Sequence, residues 1–127
     1  MSTVEKVTIN MSVVDLGKID LLVEEGFYSN RTDFMRTAIR NHLDKHEENV
    51  QKTVAKRNFV IGVLRYERSD LEKQKELGAT LSVSVVGLFS LADDVTPELA
   101  RETISSVTVV GVFRANSAVK KALSDRT

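Results

Sequence analysis

The chain has 127 residues, 42% of them apolar, and sets 18 basic against 18 acidic side chains, enough for one ordinary globular domain or two small ones. With no cysteine, it excludes disulfides, thiolate metal sites and cysteine nucleophiles, and it fits a reducing cytoplasm. Residues 1–57 are just as balanced, with nine basic and nine acidic side chains, which excludes a protein that coats phosphates by bulk charge; any nucleic-acid contact must use a few aimed groups.

Residues 5–12, EKVTINMS, alternate one residue at a time. In an extended chain Lys6, Thr8 and Asn10 fall on one side and Val7, Ile9 and Met11 on the other, which predicts a short strand with one polar and one apolar face. Residues 1–20 lack the continuous apolar core of a secretion signal. No apolar run approaches the roughly 20 residues of a membrane span, so no membrane contact is expected and a cytoplasmic protein is.

Leu16, Ile19, Leu22 and Val23 recur at helical spacing and Gly26 follows as a stop, predicting a first helix over 13–25. Asn30 then serves as an N-cap, and Asp33 can reach back toward its amide in a capping box. The stripe Phe34, Met35, Ala38, Ile39, Leu43, with a weaker echo at Val50 and Val54, predicts a second helix running to about Arg57, with a break. Gly and Pro are absent from 27–57, so 47–58 reads as a helical stalk.

The remaining stretch, 59–127, repeats itself. VIGVLR at 60–65, VVGLFS at 85–90 and VVGVFR at 109–114 place Gly62, Gly87 and Gly111 at intervals of 25 and 24 residues. A helix signal follows each run: Ser69 with Glu72 as a capping box and Gly78 as a stop, then Thr96 as N-cap with Pro97 at the first helical position, then Asn116 or Ser117 before AVKKAL. This predicts an α/β domain of three βα units stacked as a short solenoid, with a ferredoxin- or ACT-like sandwich, its strands paired out of order, as the alternative. The apolar runs read as core, and an end turn left open would favour self-association.

One strand and two helices, some 45 residues, are below the size at which a monomeric core usually holds, so the first segment needs a partner. A second copy suffices if the two strands pair antiparallel across a two-fold axis over a shared helical core. The outer face then becomes a ribbon carrying two copies of Lys6, Thr8 and Asn10. Such a ribbon fits the major groove, where Lys reaches guanine acceptors, Asn bonds adenine and Thr bonds an edge or packs on a thymine methyl.

KVTINMS, followed by EEGFYSNRTDFMRTAIRNHL, resembles the ribbon-helix-helix family of bacterial DNA-binding regulators in its CopG-like branch, over roughly residues 4–46. The resemblance implies an α+β chain whose residues 1–46 form an intertwined β-α-α homodimer. By that resemblance Lys6, Thr8 and Asn10 read bases, and Ser29, Asn30, Arg31 and Thr32 at the start of the second helix hold a phosphate. Backbone N–H groups at a helix start attract anions in any case. The shared core would hold Val7, Ile9, Met11, Ile19, Leu22, Phe34, Ala38 and Ile39. The partners implied are double-stranded DNA, a second copy through 1–46, and a tetramer or larger assembly through 59–127.

Other chemistry finds little support. His42 and His46 lie at i and i+4, but no third metal ligand accompanies them, and the ligands of a nickel-sensing branch with an ACT domain are missing despite a faint likeness at 64–74. Asp93, Asp94 and Glu98 read as a turn and the first-turn acids of a helix. Ser69 and Thr96 are caps, since no histidine in 47–127 could activate them, so no catalytic residue, metal or cofactor is expected. Transcriptional repression is the function implied. The alternatives are a scaffold whose first segment only dimerises, an antitoxin, and a plasmid-partition DNA binder; antitoxins usually carry a disordered tail where 59–127 reads as folded.

Overall fold

A computed structural model describes residues 3–127, so the first two residues of the 1–46 segment lie outside it. The chain divides into two compact units between Thr53 and Val54.

In the first unit, α1 (Val13–Glu24) opens on Ser12, whose hydroxyl accepts from the amides of Val14 and Asp15. It closes at Gly26, whose φ of +84° lets the chain turn back so that the Phe27 amide reaches the Leu22 carbonyl and the Gly26 amide that of Val23. Next, α2 (Arg31–Lys45) is capped by Asn30, whose side-chain oxygen accepts from the Asp33 amide. The capping box is displaced by one residue from the expected pairing: Asp33 reaches the amide and hydroxyl of Ser29 rather than Asn30. His46 interrupts the helix for one residue before α3 (Glu47–Lys56).

Residues 4–11 form no strand within the single chain. A strand is defined by its ladder, and among the described residues the first unit supplies no second segment to bond with.

In the second unit, β1 (Val60–Tyr66), β2 (Leu81–Leu91) and β3 (Ile104–Arg114) form one parallel sheet in chain order, β1-β2-β3. This is the order of consecutive βα units; the out-of-order pairing of the ferredoxin- or ACT-like alternative is not formed. The second and third strands start earlier than their apolar runs, because Ser and Thr alternate with Val in LSVS and ISSVT and extend the two-residue period. Between and after the strands lie α4 (Arg68–Glu76), α5 (Pro97–Thr103) and α6 (Ser117–Ala122).

Thr96 caps α5 and Asn116 caps α6, as the sequence predicts. For α4 the capping box is Glu67 with Asp70, two residues earlier than Ser69 with Glu72; Glu72 instead bonds Arg68 one turn back. The helices cover one face of the sheet. There Val83, Val85, Phe89 and Leu91 meet Leu71, Leu99, Val119 and Leu123 in a closed core, with Phe89 stacked on Phe113.

The strands align Gly62 with Gly87 and Gly87 with Gly111. All three have φ between +130° and +145°, and a Cβ on Gly87 would lie 2.2 Å from the Gly62 carbonyl oxygen. On the sheet face turned away from the core, the strand register forms two apolar rows, Ile61–Val86–Val110 and Val63–Leu88–Val112.

Candidate nucleic-acid interface

Lys6, Thr8 and Asn10, the predicted base readers, are exposed side chains on a segment without secondary structure. The apolar residues that alternate with them are equally uncovered: Val7 is 79% and Ile9 65% exposed. An apolar row left in water is costly to hold, at about 25 cal/mol for each Å² of apolar surface that could be buried.

The helices of the first unit leave a matching opening. Met11, Ile19, Leu22 and Phe34 line an apolar groove rimmed by Asp15 and Lys18. Of the eight residues expected in a shared core, Ile19 is buried within the single chain, and Met11, Leu22 and Phe34 are half-buried. Val7, Ile9, Ala38 and Ile39 are exposed. Leu43, one turn beyond Ile39, is exposed too, so the apolar stripe of α2 has no cover along this length. Phe34 is fixed by an edge-to-face contact with Tyr28, ring centres 5.0 Å apart.

The start of α2 gathers the four predicted phosphate ligands, Ser29, Asn30, Arg31 and Thr32, all exposed. Asn30 satisfies the Asp33 amide, and the preceding amides of the first turn have no carbonyl within the helix to bond. Arg31 is already engaged. Its Nε and Nη2 donate to the two carboxylate oxygens of Asp20 on α1, at 2.7 and 2.8 Å. This pairing raises the Arg31 pKa and holds the Asp20 carboxyl below its ordinary value. Asp33 is likewise lowered, because the Ser29 amide and hydroxyl both donate to it. Sequence spacing gives no hint of the Asp20–Arg31 pair, since eleven residues and a turn separate the two.

His42, His46, Asp94 and Thr96 have structural partners. His42 and His46 stack edge to face, ring centres 5.1 Å apart. Among the described residues no group of three or more His, Cys, Asp or Glu is placed to hold a metal ion. Asp94 accepts from the Arg68 amide, and Thr96 caps α5. No described helix is long and apolar enough to cross a membrane.

A family model described as the Ribbon-Helix-Helix transcriptional regulator family matches residues 2–120. The match runs through all three strands and ends inside α6, and is not confined to the 4–46 segment whose motifs carry the resemblance. No curated protein and no solved structure gives a match.

Proposed function

Because the chain belongs to the ribbon-helix-helix transcriptional regulator family, we propose that it is a repressor that binds operator DNA as a homodimer through residues 1–46. In this reading two copies pair residues 6–11 antiparallel, bury Val7, Ile9 and Met11 over the groove of Ile19, Leu22 and Phe34, and turn Lys6, Thr8 and Asn10 into the major groove. The observation that carries it is the match of two apolar surfaces left open in one chain, the Val7–Ile9 side of the segment and the groove between the helices.

The start of α2 then meets the DNA backbone, with the first-turn amides and the Arg31 guanidinium directed at one phosphate per half-site. Few phosphates are neutralised in this way, so the balanced charge of the chain is no obstacle and the salt dependence of binding is modest. The helical segment 47–58 connects this dimer to the second unit, to which we assign assembly into a tetramer or larger species. That folded unit argues against an antitoxin, and the cytoplasm is the compartment where operator DNA is met.

Selection of bound sites from random duplex DNA tests the proposal, since it reports specificity and half-site spacing together. A palindromic site lost on Lys6→Ala with Asn10→Ala, while the dimer persists, is the expected result. A dimer without any selected sequence would instead favour the scaffold reading.

A further inference from the structure

We propose that the outer edge of β3 receives β1 of a second copy of this chain, continuing the sheet in the register its own strands already use. The inference rests on the assignment of assembly to the second unit, but not on DNA recognition.

Each strand presents its glycine carbonyl to the glycine of the next. A Cβ on Gly87 would lie 2.2 Å from the Gly62 oxygen, and one on Gly111 would lie 2.2 Å from the Gly87 oxygen, so both positions exclude any side chain. Gly62 has the same backbone, φ +145°, yet a Cβ there would meet nothing within 4 Å. The first strand is therefore shaped to face a glycine carbonyl that its own chain does not provide. At the other end of the row, the pattern turns the Gly111 carbonyl toward the outer edge of β3.

Hydrogen bonding along that edge agrees. The Val107 amide points outward and donates to the carbonyl of Arg126 in the C-terminal tail. By the alternation of a strand, Val109, Gly111 and Phe113 direct their backbone groups the same way. The tail holds the first rung, and a groove lined by Val107, Val109, Phe113 and Thr127 follows the edge beyond it.

The helix-facing rows show the same imbalance. Val60, Val85 and Val109 align across the sheet; Val85, flanked on both sides, is fully buried, whereas Val60 is 56% exposed. A strand added beside β3 would give Val60 of the incoming copy the neighbour that Val85 has in β2. The helical layer runs α4-α5-α6 in step with the strands, so α6 stands on the side where the new strand would lie. Two different edges meet in this contact, so it closes a ring or continues openly.

Cysteine cross-linking tests the register cleanly because the chain has no cysteine of its own. Pairing Gly111 with Gly62 of the next copy sets Val110 beside Ile61. Within one chain the two are separated by β2, about 9–10 Å at strand spacing, too far for a disulfide. Mixed Ile61→Cys and Val110→Cys proteins, mildly oxidised, should form the 61–110 disulfide at least tenfold faster than either alone forms a self-disulfide. Sedimentation should show wild-type species larger than a dimer, growing with concentration. Val63→Pro and Val109→Pro each remove an outward amide and should each abolish that growth, while their equimolar mixture recovers one junction per pair. Should the proline variants fail to fold by circular dichroism, the cysteine pair decides. Large species without the mixed disulfide, or with equal self-linking at position 61, overturn the edge contact and leave self-association standing; no species above a dimer overturns both.

Discussion

The Arg31 guanidinium grips the Asp20 carboxylate with two hydrogen bonds, at 2.7 and 2.8 Å, and so ties the first turn of α2 to α1. The cation proposed to meet a phosphate is thus oriented in advance by an acid that also competes for it. Asp20→Asn and Arg31→Ala both break this pair, yet only the second removes the cation. Arg31→Ala removes one phosphate contact from each half-site and should lower the slope of log affinity against log salt by about two for the dimer, whereas Asp20→Asn should keep it or increase it. Fluorescence anisotropy across a salt series measures both. Equal slopes for the two variants would assign Arg31 to holding the helices together and remove it from the phosphate site.

Acid should loosen the same region. Arg31 holds Asp20 below its ordinary 3.8, and the Ser29 amide and hydroxyl do the same for Asp33. A carboxyl whose pKa is lower in the folded chain contributes its full stabilisation above the unfolded value and loses it as pH falls through the folded one. The contribution is therefore intact at neutral pH and disappears from about pH 3.8 downward. Thermal unfolding followed by circular dichroism should show a steeper loss below that point for the wild type than for the Asp20→Asn, Asp33→Asn double variant. Parallel curves would mean that these two acids are not what the acid transition titrates.

The glycine row separates conformational strain from steric exclusion. Gly62→Ala meets only the strain of a positive φ, of order 1–3 kcal/mol. Gly87→Ala and Gly111→Ala add a collision with a backbone oxygen at 2.2 Å, which neighbouring strands can relieve only by separating. Their cost should exceed that of Gly62→Ala by a further 1–3 kcal/mol or more, as overpacking in a closed interior does. Urea unfolding of the full chain reads the difference. Three equal losses would show that the strands shift freely enough to admit a methyl group.

Much of this architecture is legible in the sequence because local chemistry agrees with the fold. Gly26, Asn30, Thr96-Pro97 and Asn116 end or begin helices where their backbone and side-chain preferences require. The three VxG runs foretell a row of aligned glycines. Two kinds of feature are hidden. Where several polar residues compete for one cap, as at Glu67-Arg68-Ser69-Asp70, the sequence leaves the choice open by a residue or two. Long-range pairs such as Asp20 with Arg31 depend on how two helices cross, which no spacing records. The 4–11 segment is the converse case. Its alternation is plain in the sequence but forms no ladder in one chain, and the proposed partner strand belongs to a second copy.

That segment gives the last prediction. If Lys6, Thr8 and Asn10 read base edges while Val7 and Ile9 hold two copies together, substitutions on its two sides should fail in different ways. Lys6→Ala and Asn10→Ala each remove a base contact worth about 1–3 kcal/mol of discrimination. They should cut operator affinity by roughly 5- to 150-fold while leaving the dimer and the weak binding to unrelated duplex unchanged. Ile9→Asp places a charge in the proposed apolar seam; at 65% exposure in the single chain it should be tolerated by the monomer and should abolish the dimer. Sedimentation and anisotropy on the same preparations separate the two effects. An Ile9→Asp protein that still dimerises and binds the selected operator would show that residues 6–11 do not form the shared ribbon, and both the base-reading role of Lys6 and Asn10 and the two-fold assembly would have to be sought elsewhere in the chain.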